Sequence, residues 1–83
     1  MGSSVFYKAS IEKDLRRLDK PAVARLIAKL EHTLSRNPEA GEPLSGEYRG
    51  MFKYRIGDYR VLYAKIPEGV LVLRIGHRRE VYR

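Results

Sequence analysis

The chain has 83 residues and no cysteine, which confines it to one small domain without disulfides or thiolate metal sites. Its formal charge of +7 sits mostly in the second half: residues 1–43 hold 8 basic and 6 acidic side chains (+2), and residues 44–83 hold 9 and 4 (+5). Such a basic half points to a polyanion partner, most often nucleic acid. No apolar run approaches the roughly 20 residues of a membrane span, and no secretory leader is recognisable, so no membrane partner and a reducing, cytoplasmic location are expected.

Residues 5–8 (V-F-Y-K) read as a short strand rich in β-forming side chains. Ser10 is placed to cap a first helix, whose Ile11, Leu15 and Leu18 fall on one face. Asp19 is placed to cap a second helix, with Pro21 tolerated in its first turn. There Val23, Leu26, Ile27, Leu30 and Leu34 form an apolar stripe at helical spacing, read as core packing. Asn37-Pro38 stops the helix, because the residue before proline avoids the helical region. Residues 38–46 hold two prolines and two glycines and read as a loop.

Beyond the loop the apolar period becomes two, and residues 50–56, 59–66 and 70–77 read as three strands. Gly57-Asp58 is the expected two-residue turn of a hairpin, and Pro67-Glu68-Gly69 a second turn. The fold class is therefore α+β: an N-terminal strand, two helices, then a three-stranded antiparallel meander with the helices on one face.

The turn also sets a register. Ile56 faces Tyr59, Arg55 faces Arg60, Tyr54 faces Val61 and Lys53 faces Leu62. One face then carries Phe52, Tyr54, Ile56, Tyr59, Val61 and Tyr63 and suits the helices. The other carries Met51, Lys53, Arg55, Arg60, Leu62 and Ala64. Arg55 and Arg60 lie directly opposite, an unfavourable pairing that a bound phosphate would turn into attraction. On the last strand Leu71, Leu73 and Ile75 are assigned to the core, with Val70, Val72, Arg74 and Arg78 on the cationic side. Strict alternation puts His77 on the core side unless a bulge at Gly76 re-aims it. Tyr82 lies beyond the reach of periodicity, and Arg79 and Arg83 extend the basic cluster. Neither a metal-ligand spacing nor a glycine-rich phosphate loop is present, so no metal and no cofactor are expected.

These residues resemble the RelE/ParE superfamily over almost the whole chain and in order. Lys13-Asp14-Leu15 with Leu18, Asn37-Pro38 and Leu44-Ser45-Gly46 are similar to the front half of RelE-type toxins. Gly57-Asp58-Tyr59-Arg60-Val61-Leu62-Tyr63 is similar to their G-x-Y-R strand, and Ile75-Gly76-His77-Arg78 with Val81-Tyr82-Arg83 to their closing segment. The resemblance implies a RelE-like fold and a toxin of a type II toxin–antitoxin module that cuts message in the ribosomal A site and so inhibits translation. It implies a RelB-like antitoxin wrapping the toxin, with operator DNA met only through that complex.

By position, Lys53, Arg60, Arg78 and Tyr82 match the family's active residues. The best-known form has lysines where this chain has Met51 and His77, and the segment ends straight after Tyr82-Arg83, where that form has a further helix. The implied reaction is metal-independent attack of the ribose 2′-OH on the adjacent phosphorus. Arg60 and Arg78 would stabilise the growing charge, with Lys53 as base or electrostatic aid, His77 as the rival base or acid, and Tyr82 stacking on a nucleobase or positioning the leaving group. Arg55, Arg74, Arg79 and Arg83 would bind RNA. Two alternatives stay open: a ParE-like inhibitor of DNA gyrase, and a catalytically weak subunit that mainly binds antitoxin.

Overall fold

The computed structural model describes residues 4–77. Arg78, Arg79, Tyr82 and Arg83 lie outside the described residues. The element order is β1 (Ser4–Tyr7), α1 (Ile11–Arg16), α2 (Lys20–Arg36), β2 (Glu42–Pro43), a single 3-10 turn (Gly46–Tyr48), β3 (Met51–Ile56), β4 (Tyr59–Ile66) and β5 (Gly69–His77).

α1 is short, and Ser10 does not cap it as expected: its backbone is already helical and its hydroxyl makes no capping bond. Asp19 does cap α2. Its backbone is extended and its carboxylate accepts the Ala22 N–H at 3.3 Å. The helix ends at Arg36, and Asn37 takes extended backbone before Pro38. Leu26, Leu30 and Leu34 from the α2 stripe are buried and join Ile11, Val61, Tyr63, Val70, Val72 and Ile75 in one core. Both helices thus cover one face of the sheet.

The sheet has five strands in the order β1-β5-β4-β3-β2. The expected meander is its centre. β1 adds to it in parallel against β5, and the loop expected at 38–46 contributes β2, which pairs Glu42 with Lys53 and Pro43 with Phe52. A two-residue edge strand containing proline leaves almost no periodic signal, which is why composition read this stretch as loop.

The β3–β4 register is the one predicted, down to Arg55 opposite Arg60. Gly57 has φ +58°, and the described residues other than glycine have no positive φ, so Asp58 is not left-handed. Glycine alone at the first turn position is the II′ requirement.

β5 departs from its predicted faces. Leu62 pairs with Arg74 and Tyr63 with Val72, so Leu73 is an extra residue in the ladder. Upstream of it Val70 and Val72 are fully buried among the helices; downstream it is Ile75. Leu71 and Leu73 are not in that core. An inserted residue reverses the alternation, and a run of Val and Leu offers no polarity contrast to reveal where.

Candidate functional site

The open face of the sheet, away from the helices, is ordered in rows by the registers. Phe6, Leu71, Ala64 and Met51 share the first row. Glu42, Lys53, Leu62 and Arg74 share the second. Arg55, Arg60 and Gly76 share the third. The face therefore passes from apolar to cationic toward the Gly57-Asp58 turn. Leu62 is only 5% exposed although it is not part of the helix-facing core; it lies between two long-stemmed cations, Lys53 and Arg74.

β2 covers only Phe52 and Lys53 of β3, so the outer edge from Tyr54 onward is left without a β2 partner. A cleft of about 380 Å³ opens there, with Gly41, Glu42, Lys53, Arg55 and Arg60 in its walls. Lys53 Nζ stands 3.4 Å from Glu42 Oε1. Glu42 was not among the residues that the sequence singled out. It lies in a stretch without periodicity, and only the pairing of β2 with β3 brings it to Lys53.

The loop that carries Glu42 is held from inside the core. The Tyr63 hydroxyl donates to Pro38 O at 2.8 Å and accepts the Gly41 N–H at 2.9 Å. Burial pushes the Tyr63 phenol above its ordinary range, partly offset by the Gly41 N–H, which favours the charged form. Gly41 packs so tightly that a Cβ there would lie 2.6 Å from Lys53 O and 2.9 Å from the Tyr63 hydroxyl. Nearby, Lys65 donates to Glu39 at 2.5 Å, and this hydrogen bond holds the Glu39 carboxyl below its ordinary range.

Of the expected site residues, the structure brings Lys53, Arg55 and Arg60 together at this cleft. Arg74 shares their face, but its Nε lies 3.4 Å from Asp14 Oδ2 at the far edge. His77 is not re-aimed. The bulge falls at Leu73 rather than Gly76, and His77 is paired with Tyr59 on the helix side, their rings edge to face at 6.5 Å. Arg78 and Tyr82, with Arg79 and Arg83, lie outside the described residues. No helix among the described residues is long and apolar enough to cross a membrane.

Comparison with known proteins identifies the family and the fold. The family described as the ParE toxin of the type II toxin–antitoxin system parDE matches residues 5–82. Toxin RelG of Mycobacterium tuberculosis is 35% identical over 86 residues, covering 100% of this chain and 99% of that protein. Toxin RelE of the same organism is also 35% identical, over 90% of this chain and 80% of its own length. Among solved structures, a chain of the M. tuberculosis toxin–antitoxin complex RelBE2 superposes with a TM-score of 0.85 at 32% identity, covering 96% of this chain and 95% of that one. E. coli toxin RelE in complex with a peptide of its antitoxin gives 0.72 at 27% identity, covering 99% and 92%. The chain belongs to the RelE/ParE superfamily, as a RelE-type toxin of a type II toxin–antitoxin system.

Proposed function

We propose that this toxin is an endoribonuclease that cuts message in the ribosomal A site and thereby stops translation. The observation that carries the reading is the convergence of Lys53, Arg55 and Arg60 on one cleft of the open face, two of them opposed across adjacent strands. Like charges directly opposite across strands repel, and an anion between them turns that repulsion into attraction. A phosphodiester supplies that anion, and an arginine fork matches its oxygens.

In the proposed reaction the ribose 2′-OH attacks the adjacent phosphorus, the P–O5′ bond breaks, the departing O5′ takes a proton from water, and the products end in a 2′,3′-cyclic phosphate and a 5′-OH. The nucleophile comes from the RNA itself, so the reaction as proposed calls for neither metal nor cofactor. Arg60, with Arg55 beside it and Arg78 from the closing segment, offsets the charge that builds on the phosphoryl oxygens. Two groups in the cleft are candidates to take the 2′-OH proton. The Lys53 amine must first lose its own proton, whereas the Glu42 side chain is an acceptor as a carboxylate. Lys53, 3.4 Å from Glu42, would orient it. Tyr82 is proposed to stack on a nucleobase, and Arg79 and Arg83 to add phosphate contacts.

The partner proposed is a RelB-like antitoxin that wraps the toxin, because similar chains are found in toxin–antitoxin complexes; operator DNA would be met through that complex. The place of action is then the cytoplasm, where ribosomes are.

Primer extension on a message during induced expression tests the reading. Codon-registered cuts that vanish when translation is blocked, and that vanish in Arg60→Ala, are expected. Intact message with gyrase-dependent DNA cleavage would replace it with the ParE-type activity, which the match to a ParE toxin family makes the second reading.

A further inference from the structure

β1 ends beside β5 at the pairing of Tyr7 with Val72, followed by a bond from Lys8 N–H to Val72 O. From Leu73 onward β5 has no strand on that side among the described residues. α1 takes the strand's place. Asp14, in its first turn, accepts the Ile75 N–H on Oδ2 at 3.0 Å, a contact across 61 residues of sequence. The same oxygen lies 3.4 Å from Arg74 Nε. The Asp14 side chain is 16% exposed and that of Arg74 38%, so this ion pair is partly withdrawn from water and less screened than one at the open surface.

We propose that Asp14 is a positioning residue for the cationic face. It has two effects. By supplying the acceptor that a sixth strand would have supplied, it holds the second half of β5 in the register set after the Leu73 bulge, where Ile75 faces Val61 and Gly76 faces Arg60. By pairing with Arg74 it withdraws that cation from phosphate binding. The basic residue that by charge alone belongs with the RNA-binding set is a fastening of the sheet edge. The polyanion site is thereby confined to the opposite side, around Lys53, Arg55 and Arg60. The second effect rests on the RNA-binding reading above; the first does not.

Two measurements separate them. Amide hydrogen exchange needs no RNA. In Asp14→Ala, Ile75 should lose about tenfold or more of its protection while Val61 and Tyr63 in the core keep theirs. In Asp14→Asn, whose side-chain carbonyl still accepts, Ile75 protection should stay within about threefold of wild type.

The second measurement is the salt dependence of binding to a 2′-O-methyl oligouridylate, which cannot supply the attacking hydroxyl. Each phosphate contact on a single strand contributes about −0.7 to the slope of log K against log salt. Arg74→Gln should keep the wild-type slope, and Asp14→Asn should steepen it by about 0.7. Adding Arg74→Gln to Asp14→Asn should restore it, and Arg60→Gln should flatten it by about 0.7.

Wild-type Ile75 protection in a folded Asp14→Ala, or a slope that flattens in Arg74→Gln, overturns the proposal. An unchanged slope in Asp14→Asn does so too. If Asp14→Ala does not fold, Asp14→Asn and Arg74→Gln still decide it. Absence of binding by the wild-type chain, or an unchanged slope in Arg60→Gln, would count against the nuclease reading and leave the exchange result to judge Asp14.

Discussion

Replacing Tyr63 by phenylalanine isolates one hydroxyl that joins the core to the site. The ring is fully buried and stacks on Phe52 at 5.2 Å with planes 11° apart, and phenylalanine keeps that contact. What is lost is the donor to Pro38 O at 2.8 Å and the acceptor for Gly41 N–H at 2.9 Å. A backbone group left unsatisfied by such a deletion costs about 1–3 kcal/mol when it cannot reach water. The 38–41 loop is only part-buried, so about 1 kcal/mol for each group, or about 2 kcal/mol in all, is the expected loss. At about 4–8 °C per kcal/mol for a domain of this size, Tm should fall by about 8–16 °C. Urea denaturation followed by circular dichroism gives the free energy, and its m-value should not change. The neighbouring loop carries Glu42, so RNA cleavage should also fall by more than the folded fraction does. A stability change below about 0.5 kcal/mol would refute the reasoning, because it would mean that water replaces both bonds without loss.

Three further outcomes follow from the same structure. Gly41→Ala forces a Cβ against Lys53 O at 2.6 Å, and overpacking of this kind should destabilise by about 1–3 kcal/mol in urea melts. Arg55→Gln removes the charge opposed to Arg60; it should raise stability by a few tenths to about 1 kcal/mol at low salt, a gain that shrinks as ionic strength rises, while weakening polyanion binding. Among the described residues, Tyr7 and Tyr63 have phenols raised by burial, Tyr7 further by its hydrogen bond to Glu31. The unfolded chain loses these protons near pH 10 while the folded chain retains them, so stability should be whole below pH 10 and fall as pH rises beyond it. Absorbance titration should show late ionisation of both Tyr7 and Tyr63, and Tyr7→Phe should remove one late step.

The period-two pattern on either side of Gly57-Asp58 was enough to place Arg55 opposite Arg60 and to separate the cationic face from the aromatic one. This is because a two-residue turn leaves the hairpin only one register. The α2 stripe and its Asp19 cap were legible for the same reason: the contacts are local, and spacing alone defines them. Long-range pairing was not legible. Glu42 meets Lys53 only because a two-residue strand joins the sheet, and Asp14 meets Ile75 across 61 positions, and Arg74 beside it, only because α1 stands where β1 ends. The Leu73 bulge was hidden because valine and leucine suit either face; it exchanged the expected faces of residues 70–73, while regular pairing through Gly76 left His77 with Tyr59 rather than with the arginines. Sequence by itself determined which segments form helices and hairpin strands, since those choices depend on neighbours a few residues away. Tertiary structure decided which charges share a cleft and which are fastened elsewhere, because that depends on packing between segments far apart in the chain.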